Sequence, residues 1–390
     1  MTLFQRICLT SFLFLAQQHS NVLAFGAPFA ISSSQSPKKK VLTNKSKAGG
    51  GFGKNNVSVP ADHTADTSKE IEDLIHFLTS QNSVGLTAKE KCCEVGISDT
   101  TNMRGLYASK DFKKNDIILK VPSDLVLALS DPQLKGADAP AIAHCGRNFM
   151  DMYLNNPTAS QTWAPYLNML PSKESNFDRT PDFFTDEEID ALELPLAVNK
   201  AKQRLLDIVE VCTKDDIPFD DLQFATWLVS SRCMAISIED TSEPLPMSDS
   251  DTGGAISKPS QTIRVMVPFL DLINHSSDNA NAEIHLIDPE KDEAWFAIRA
   301  TRPIKKNKEL TIGYGTAGTS VDLLQDYGFV PNSNRFDSYM LTKGGDNIIE
   351  TVEEWSTTLE ADEKALEDPE LSANMKKVLE FRCKMKKSYS

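Results

Sequence analysis

Three short blocks in the last third of the chain carry side chains able to orient a reacting group. VPFLDLINHSS (Val267 to Ser277) sets Asp271, Asn274 and His275 within five residues of one another. Tyr314 stands between two glycines 39 residues after His275, and thirteen residues beyond it Tyr327 opens the run that leads to Phe329 in DYGFVPNSN. Carboxylate, amide, imidazole and phenol are hydrogen-bonding groups that can hold a polar ligand. Taken singly, each is ordinary. Asn-His-Ser is an Asx-type turn signature, and a Tyr between glycines commonly marks a turn beside a buried aromatic. The seven cysteines (Cys8, Cys92, Cys93, Cys145, Cys212, Cys233 and Cys383) contain no Cys-x-x-Cys pair and no Cys/His cluster. Tetrahedral zinc spacing is therefore missing, and no metal site is expected.

Three further blocks lie upstream. NMRGLYASKDFKKNDIILKVPSDLVLAL (Asn102 to Leu129) reads as a Gly-Leu strand, a polar turn and a strand ending in Val-Pro. TWAPYLNMLP (Thr162 to Pro171) and FATWLVSSRCMAI (Phe224 to Ile236) complete the set. In type, order and approximate spacing, over about 235 residues, the blocks resemble the SET-domain methyltransferases, and most closely the plant Rubisco large-subunit lysine methyltransferase subgroup.

That resemblance implies an α+β fold: a β-rich SET domain interrupted by a helical insertion, with a short helical C-terminal segment. It implies S-adenosyl-L-methionine as cofactor and a lysine side chain of a protein as acceptor, with no metal. Tyr314 matches the tyrosine at the waist of the channel where donor and acceptor meet. Asn274 and His275 match the pair that holds the cofactor, His275 acting through backbone and packing rather than proton transfer. Asn102, Met103 and Arg104 match the loop whose backbone contacts the cofactor, and Gly105 the position where the chain must come close to it. Arg232 matches an arginine near the cofactor carboxylate, the alternative being an ordinary salt bridge. Asp271 and Tyr327 match positions on the substrate side, and Phe329 one packed beneath the channel. Met234 stands where many relatives have Phe. Asn279 to Glu283 lacks the aromatic that the plant enzymes place near the target lysine, which implies a looser or differently shaped acceptor pocket. Two other readings stay open: a protein-histidine methyltransferase, and a SET fold kept as a binding or assembly module.

Charge is divided unevenly along the chain. Residues 1–61 contain no Asp or Glu and seven Lys or Arg, leaving the remainder with a formal charge near −21. So acidic a body argues against nonspecific binding to nucleic acid or to an anionic membrane surface. Arg6, the apolar run Ile7 to Ala16 and the small residues ending at Ala24 read as a secretory signal peptide, too short to span a membrane comfortably. The Ser-, Lys- and Gly-rich stretch after Phe25 resembles a transit peptide. Together they resemble the bipartite presequence of secondary plastids, with plain secretion as the alternative.

The elements that must position the site follow from periodicity. Ile71, Leu74, Ile75 and Leu78 form one helical stripe, and IILKV, LVLAL, IRVMV, AEIHLI, AWFAI and ELTI read as strands. Helical spacing dominates from Asp131 to Ile236, with Asp220 or Asp221 as N-cap of the last helix. The expected organisation is a targeting segment over 1–61, SET halves over 67–130 and 261–342, and a helical insertion over 131–236. An acidic segment over 239–260 reads as a disordered insertion or a substrate lip. Residues 343–390 read as short acidic helices ending in the basic run KMKK, shorter than the docking domain usual in the plant-type enzymes.

Overall fold

The computed structural model describes residues 24–25, 62–87, 89–129, 141–175, 179–239, 260–288, 294–315, 318–337 and 355–389. The strands are β1 (Ala24–Phe25), β2 (His63–Ala65), β3 (Cys93–Ser98), β4 (Arg104–Ala108), β5 (Ile117–Pro122) and β6 (Leu127–Ala128), then β7 (Met234–Glu239), β8 (Ser260–Met266), β9 (Asn274–His275), β10 (Ala282–Ile287), β11 (Trp295–Ala300) and β12 (Glu309–Ile312). They build three sheets, ordered β2-β3-β4-β12-β9, β10-β11-β5 and β1-β7-β8-β6. Within the first sheet β12 pairs antiparallel with β4 and parallel with β9. That parallel pair aligns Thr311 with Asn274 and Ile312 with His275, so two distant blocks of sequence share one edge.

Helices α1 (Lys69–Ser80), α2 (Ile142–Phe149), α3 (Pro157–Leu167), α4 (Asp186–Asp190), α5 (Pro195–Asp215) and α6 (Phe219–Ser230) precede β7, and α7 (Ser320–Tyr327), α8 (Leu359–Ala365) and α9 (Ala373–Tyr389) follow β12. With both helices and sheets present, the fold is α+β. The stripe on α1 does what its spacing requires: Ile71, Leu74 and Leu78 are buried in the main core beside Leu106, Leu119 and Phe296. A second core joins Leu192, Leu194 and Ala197 to Leu324 on α7 and Phe381 on α9. No helix among the described residues is long and apolar enough to cross a membrane.

Several local expectations need correction. Helix α6 begins at Phe219 with Pro218 as N-cap. Asp220 and Asp221 therefore occupy its first turn, where carboxylates favour the positive end of the helix dipole without capping it. The helix ends at Ser230, so Arg232 lies in the turn that follows, and Met234 opens β7 opposite Val265. Strand pairing with β8 outcompetes the helical spacing there. In LVLAL only Leu127 and Ala128 pair as a strand, because Leu125 closes a 3-10 turn. The run is buried throughout, so it has no alternation to mark its ends. The acidic segment between Glu239 and Ser260 lies outside the described residues, as does 338–354. So does the proposed presequence apart from Ala24–Phe25, which pairs with Ser237 and Ile236 of β7.

Candidate active site

The chain enters the site through a turn it would not adopt freely. Phe269, fully buried, sits at φ 73°, a left-handed conformation unusual for a bulky residue. A 3-10 turn at Leu270–Leu272 follows, and then β9. Core burial of Phe269 and Leu270 holds this geometry, which sets the Asp271 side chain and the Ile273 carbonyl on one wall.

Tyr314 leaves the end of β12 and folds back over β9. Its backbone N–H donates to His275 Nδ1 at 2.9 Å, and His275 Nε2 lies 2.7 Å from Ser277 Oγ. Because Nδ1 accepts, the ring proton belongs on Nε2, donated to the serine. Burial lowers the pKa of His275 to about 4, with Asp278 opposing the shift only weakly. The ring is therefore neutral at physiological pH and occupied as a brace. The Tyr314 hydroxyl donates to the Ile273 carbonyl at 2.6 Å, and its ring packs 4.4 Å from Tyr327 and 5.2 Å from His275. Burial pushes the phenol well above its ordinary range; Arg232 opposes that shift and Asp271 adds to it. Tyr314 is thus a neutral orienting group rather than a base. Phe329 lies 5.8 Å from His275 and 6.3 Å from Tyr327, beneath the same cluster.

Arg232 donates through Nη1 to Asp271 Oδ2 at 3.1 Å, and the hydroxyl of Tyr166 donates to the same oxygen at 2.9 Å. Asp271 is fully buried, its Oδ1 has no partner, and the same holds for Arg232 Nε. Burial raises the Asp271 pKa, while Arg232 and then Tyr166 counter it. Beside this trio Arg204 donates to Asp326 at 2.6 Å and to the carbonyl of Gln325 at 3.1 Å, fixing the turn of α7 that carries Tyr327.

The β3–β4 turn approaches from the other side. Asn102 adopts φ 56°, which Asn tolerates, and Met103 is half exposed. Arg104 pairs with Asp66 at 2.8 Å. The Asn274 amide donates to the Arg104 carbonyl at 3.0 Å and to Glu309 Oε1 at 2.8 Å, so only its oxygen remains to meet a ligand. A Cβ on Gly105 would come within 2.6 Å of Glu309 and 2.7 Å of Asn274, which only glycine avoids.

A cavity of about 540 Å³ gathers six of the residues the sequence singled out: Arg232, Met234, Asp271, His275, Tyr314 and Tyr327. Asn102, Met103, Arg104, Gly105 and Asn274 do not line it; Asn274 meets Arg104 and Gly105 in the neighbouring sheet. Phe329 does not line it but packs against His275 and Tyr327, which do. Ala280 and Ala282, from the segment that lacks an aromatic, line the cavity with the following Ile284, and Met234 faces the same space. The sequence reading missed Tyr166, although its block was recognised, as well as Arg204 and Glu283. Arg204 gave no signal, being one of many polar residues on an amphipathic helix. Among the described residues no group of three or more His, Cys, Asp or Glu could hold a metal ion.

Comparison with known proteins points the same way. The SET domain family profile matches residues 103–315. The chain is 24% identical over 279 residues to the chloroplastic ribulose-1,5 bisphosphate carboxylase/oxygenase large subunit N-methyltransferase of Pisum sativum, a match covering 64% of this chain and 50% of that protein. It is 21% identical over 356 residues to ribosomal lysine N-methyltransferase 4 of Saccharomyces cerevisiae, covering 81% of this chain and 66% of that protein. The chain thus spans about half the length of the pea relative. The structure of Rubisco LSMT bound to sinefungin and monomethyllysine superposes with a TM-score of 0.55 at 17% identity, over 82% of this chain and 89% of that one, which is a likeness of fold. Since the profile takes in β4 at one end and Tyr314 at the other, with the helical block between them, the chain belongs to the SET-domain family.

Proposed function

We propose that the chain is an S-adenosylmethionine-dependent protein-lysine N-methyltransferase acting on a plastid protein of the Rubisco large-subunit or aldolase type. The observation that carries this reading is the Tyr314 hydroxyl, fixed on the Ile273 carbonyl at 2.6 Å inside a cavity that Arg232 also lines. The residues present fit the cofactor. Arg232 has a buried Nε without a partner, suited to a carboxylate through its planar fork, and Gly105 makes room for the Asn274 amide, whose oxygen is left to meet a ligand.

The chemistry that S-adenosylmethionine supplies when bound is a sulfonium methyl, open to in-line displacement by an unprotonated amine. The chain's own residues orient and exclude. Tyr314 spends its proton on Ile273 and so turns oxygen lone pairs toward an acceptor N–H. Met234, Ala280, Ala282, Ile284 and Ile312 give the cavity an apolar wall that limits water. Asn102, Met103, Arg104 and Asn274 are assigned to the cofactor side, Asp271 and Tyr327 to the acceptor side. His275 stays a brace, since its Nδ1 is already occupied.

The pH profile tests the acceptor type. A lysine amine has a reference pKa near 10.4 and a histidine ring near 6.5. His275, with its pKa lowered to about 4, does not titrate between pH 7 and pH 9. With a plastid protein as acceptor, kcat/KM is therefore expected to climb from pH 7 to pH 9 as lysine sheds its proton. A profile flat above roughly 7.5, or methyl-histidine in the hydrolysate, would instead assign the histidine reaction. Cofactor binding with no transfer to any plastid protein would leave a binding module.

The plastid assignment rests on the acid-free amino terminus together with the chloroplastic pea relative. A fluorescent protein fused behind residues 1–61 is expected to reach the plastid, and replacing Phe25 to hold it earlier in the secretory route. Secretion of the intact fusion would return the plain-secretion reading.

A further inference from the structure

We infer that Tyr166, contributed by the helical block more than a hundred positions before β9, is a positioning residue of the site. Its hydroxyl fixes Asp271 Oδ2, and that same oxygen fixes the Arg232 guanidinium on the cavity wall. Three observations combine. Tyr166 and Asp271 are fully buried, so their 2.9 Å contact is sheltered from exchange with water. Both donors converge on one oxygen, while the partner oxygen and Arg232 Nε have none, so the geometry of the trio hangs on Oδ2. Helix α3 also packs against α1 and carries Trp163 edge-on to Phe77, so the hydroxyl is set by the core rather than by the site.

The consequence is a coupling between a core tyrosine and an active-site arginine. The charged or titratable groups acting on Asp271 among the described residues are Arg232 from the turn after α6, Tyr166 from α3 and Tyr314 after β12. Burial already favours the neutral acid; Arg232 and the Tyr166 hydroxyl favour the carboxylate. Without the hydroxyl, Asp271 takes up its proton at a higher pH and loosens its hold on Arg232. A hydrogen bond to a charged group of this kind is worth about a tenfold change in an equilibrium or more.

This inference rests on the proposed function for its link to cofactor, but not for the link between the two side chains. Tyr166→Phe in the full chain keeps the ring and the packing. Calorimetry with S-adenosylhomocysteine across pH 5 to 8 should show the variant losing affinity about tenfold, with its fall on acidification beginning at a higher pH than in the wild type. Arg232→Lys should cost much less in the Tyr166→Phe background than in the wild type, because both act through one contact. Identical affinity curves, or fully additive losses, would overturn the positioning role. A second arm needs no cofactor. Removing the hydroxyl penalises the fold only where Asp271 is ionised, so the thermal-melting gap between wild type and variant should widen from pH 4 to pH 8. A gap of constant size would break the Tyr166–Asp271 link itself. Failure of the wild type to bind S-adenosylhomocysteine would instead count against the proposed function, leaving the melting arm to decide the link.

Discussion

Tyr314→Phe should lower methyl transfer by about 100- to 1,000-fold while leaving S-adenosylhomocysteine binding unchanged. The substitution removes one atom. The ring still packs 4.4 Å from Tyr327 and 5.2 Å from His275, and the backbone N–H still donates to His275 Nδ1. What disappears is the hydroxyl fixed on Ile273, which the proposed function makes the group that orients the acceptor amine. Positioned polar groups at a reacting centre lose this much when deleted because nothing else in the site reproduces their direction. The Ile273 carbonyl also loses its donor, a cost of about 1–3 kcal/mol visible in a thermal melt. Single-turnover transfer at saturating cofactor is the clean measurement. A wild-type rate would remove Tyr314 from the chemistry and return it to a buried tyrosine with a satisfied hydroxyl.

What the sequence could say about this site depended on how local the signal was. Strands β10 and β12 fall on AEIHLI and ELTI residue for residue, and the α1 stripe buries as its spacing demands. These patterns need only near neighbours. The ordered blocks carried the family because a ligand constrains residue types wherever the fold gathers them, and six of those residues share one cavity. Tertiary decisions were hidden. Helical spacing ran past Ser230 because nothing local announces that Met234 will pair with Val265. Asn274 fell outside the cavity wall because its amide is taken by Glu309, 35 positions on, and by the Arg104 carbonyl. Tyr166 was legible as part of a motif, yet its partner 105 positions away was not.

The burial inside the run KMKK has no mark in the sequence, because a string of lysines normally reads as solvated. Here Met385 belongs to the second core, and Lys386 is buried with its ammonium 2.5 Å from Asp362. Asp362 also receives Arg382 through two nitrogens, at 3.1 Å and 3.0 Å, while Arg382 reaches Glu193 of the helical block at 2.8 Å. Two buried cations thus depend on two carboxylates, and Asp362 is the one they share. Asp362→Ala should therefore destabilise the chain by about 3–5 kcal/mol, the usual cost of leaving a buried partner uncompensated.

The pH dependence of that loss is fixed by sign. Burial alone would raise the Asp362 pKa, but hydrogen bonds from Lys386 and Thr357 and the charge of Arg382 outweigh it and hold the carboxyl below its ordinary range. Its contribution is full above the unfolded-state pKa, near 3.9, and is lost as pH falls through the folded value. Denaturant titrations should accordingly show a constant deficit from pH 5 to pH 8 that shrinks only below about pH 4. Because α9 shares its core with Leu324 on α7, the helix that ends in Tyr327, the variant should also lose transfer activity at temperatures where the wild type is intact. An unchanged midpoint at pH 7 would mean that these charges are solvated, and that the last helices merely follow the fold instead of bracing its site.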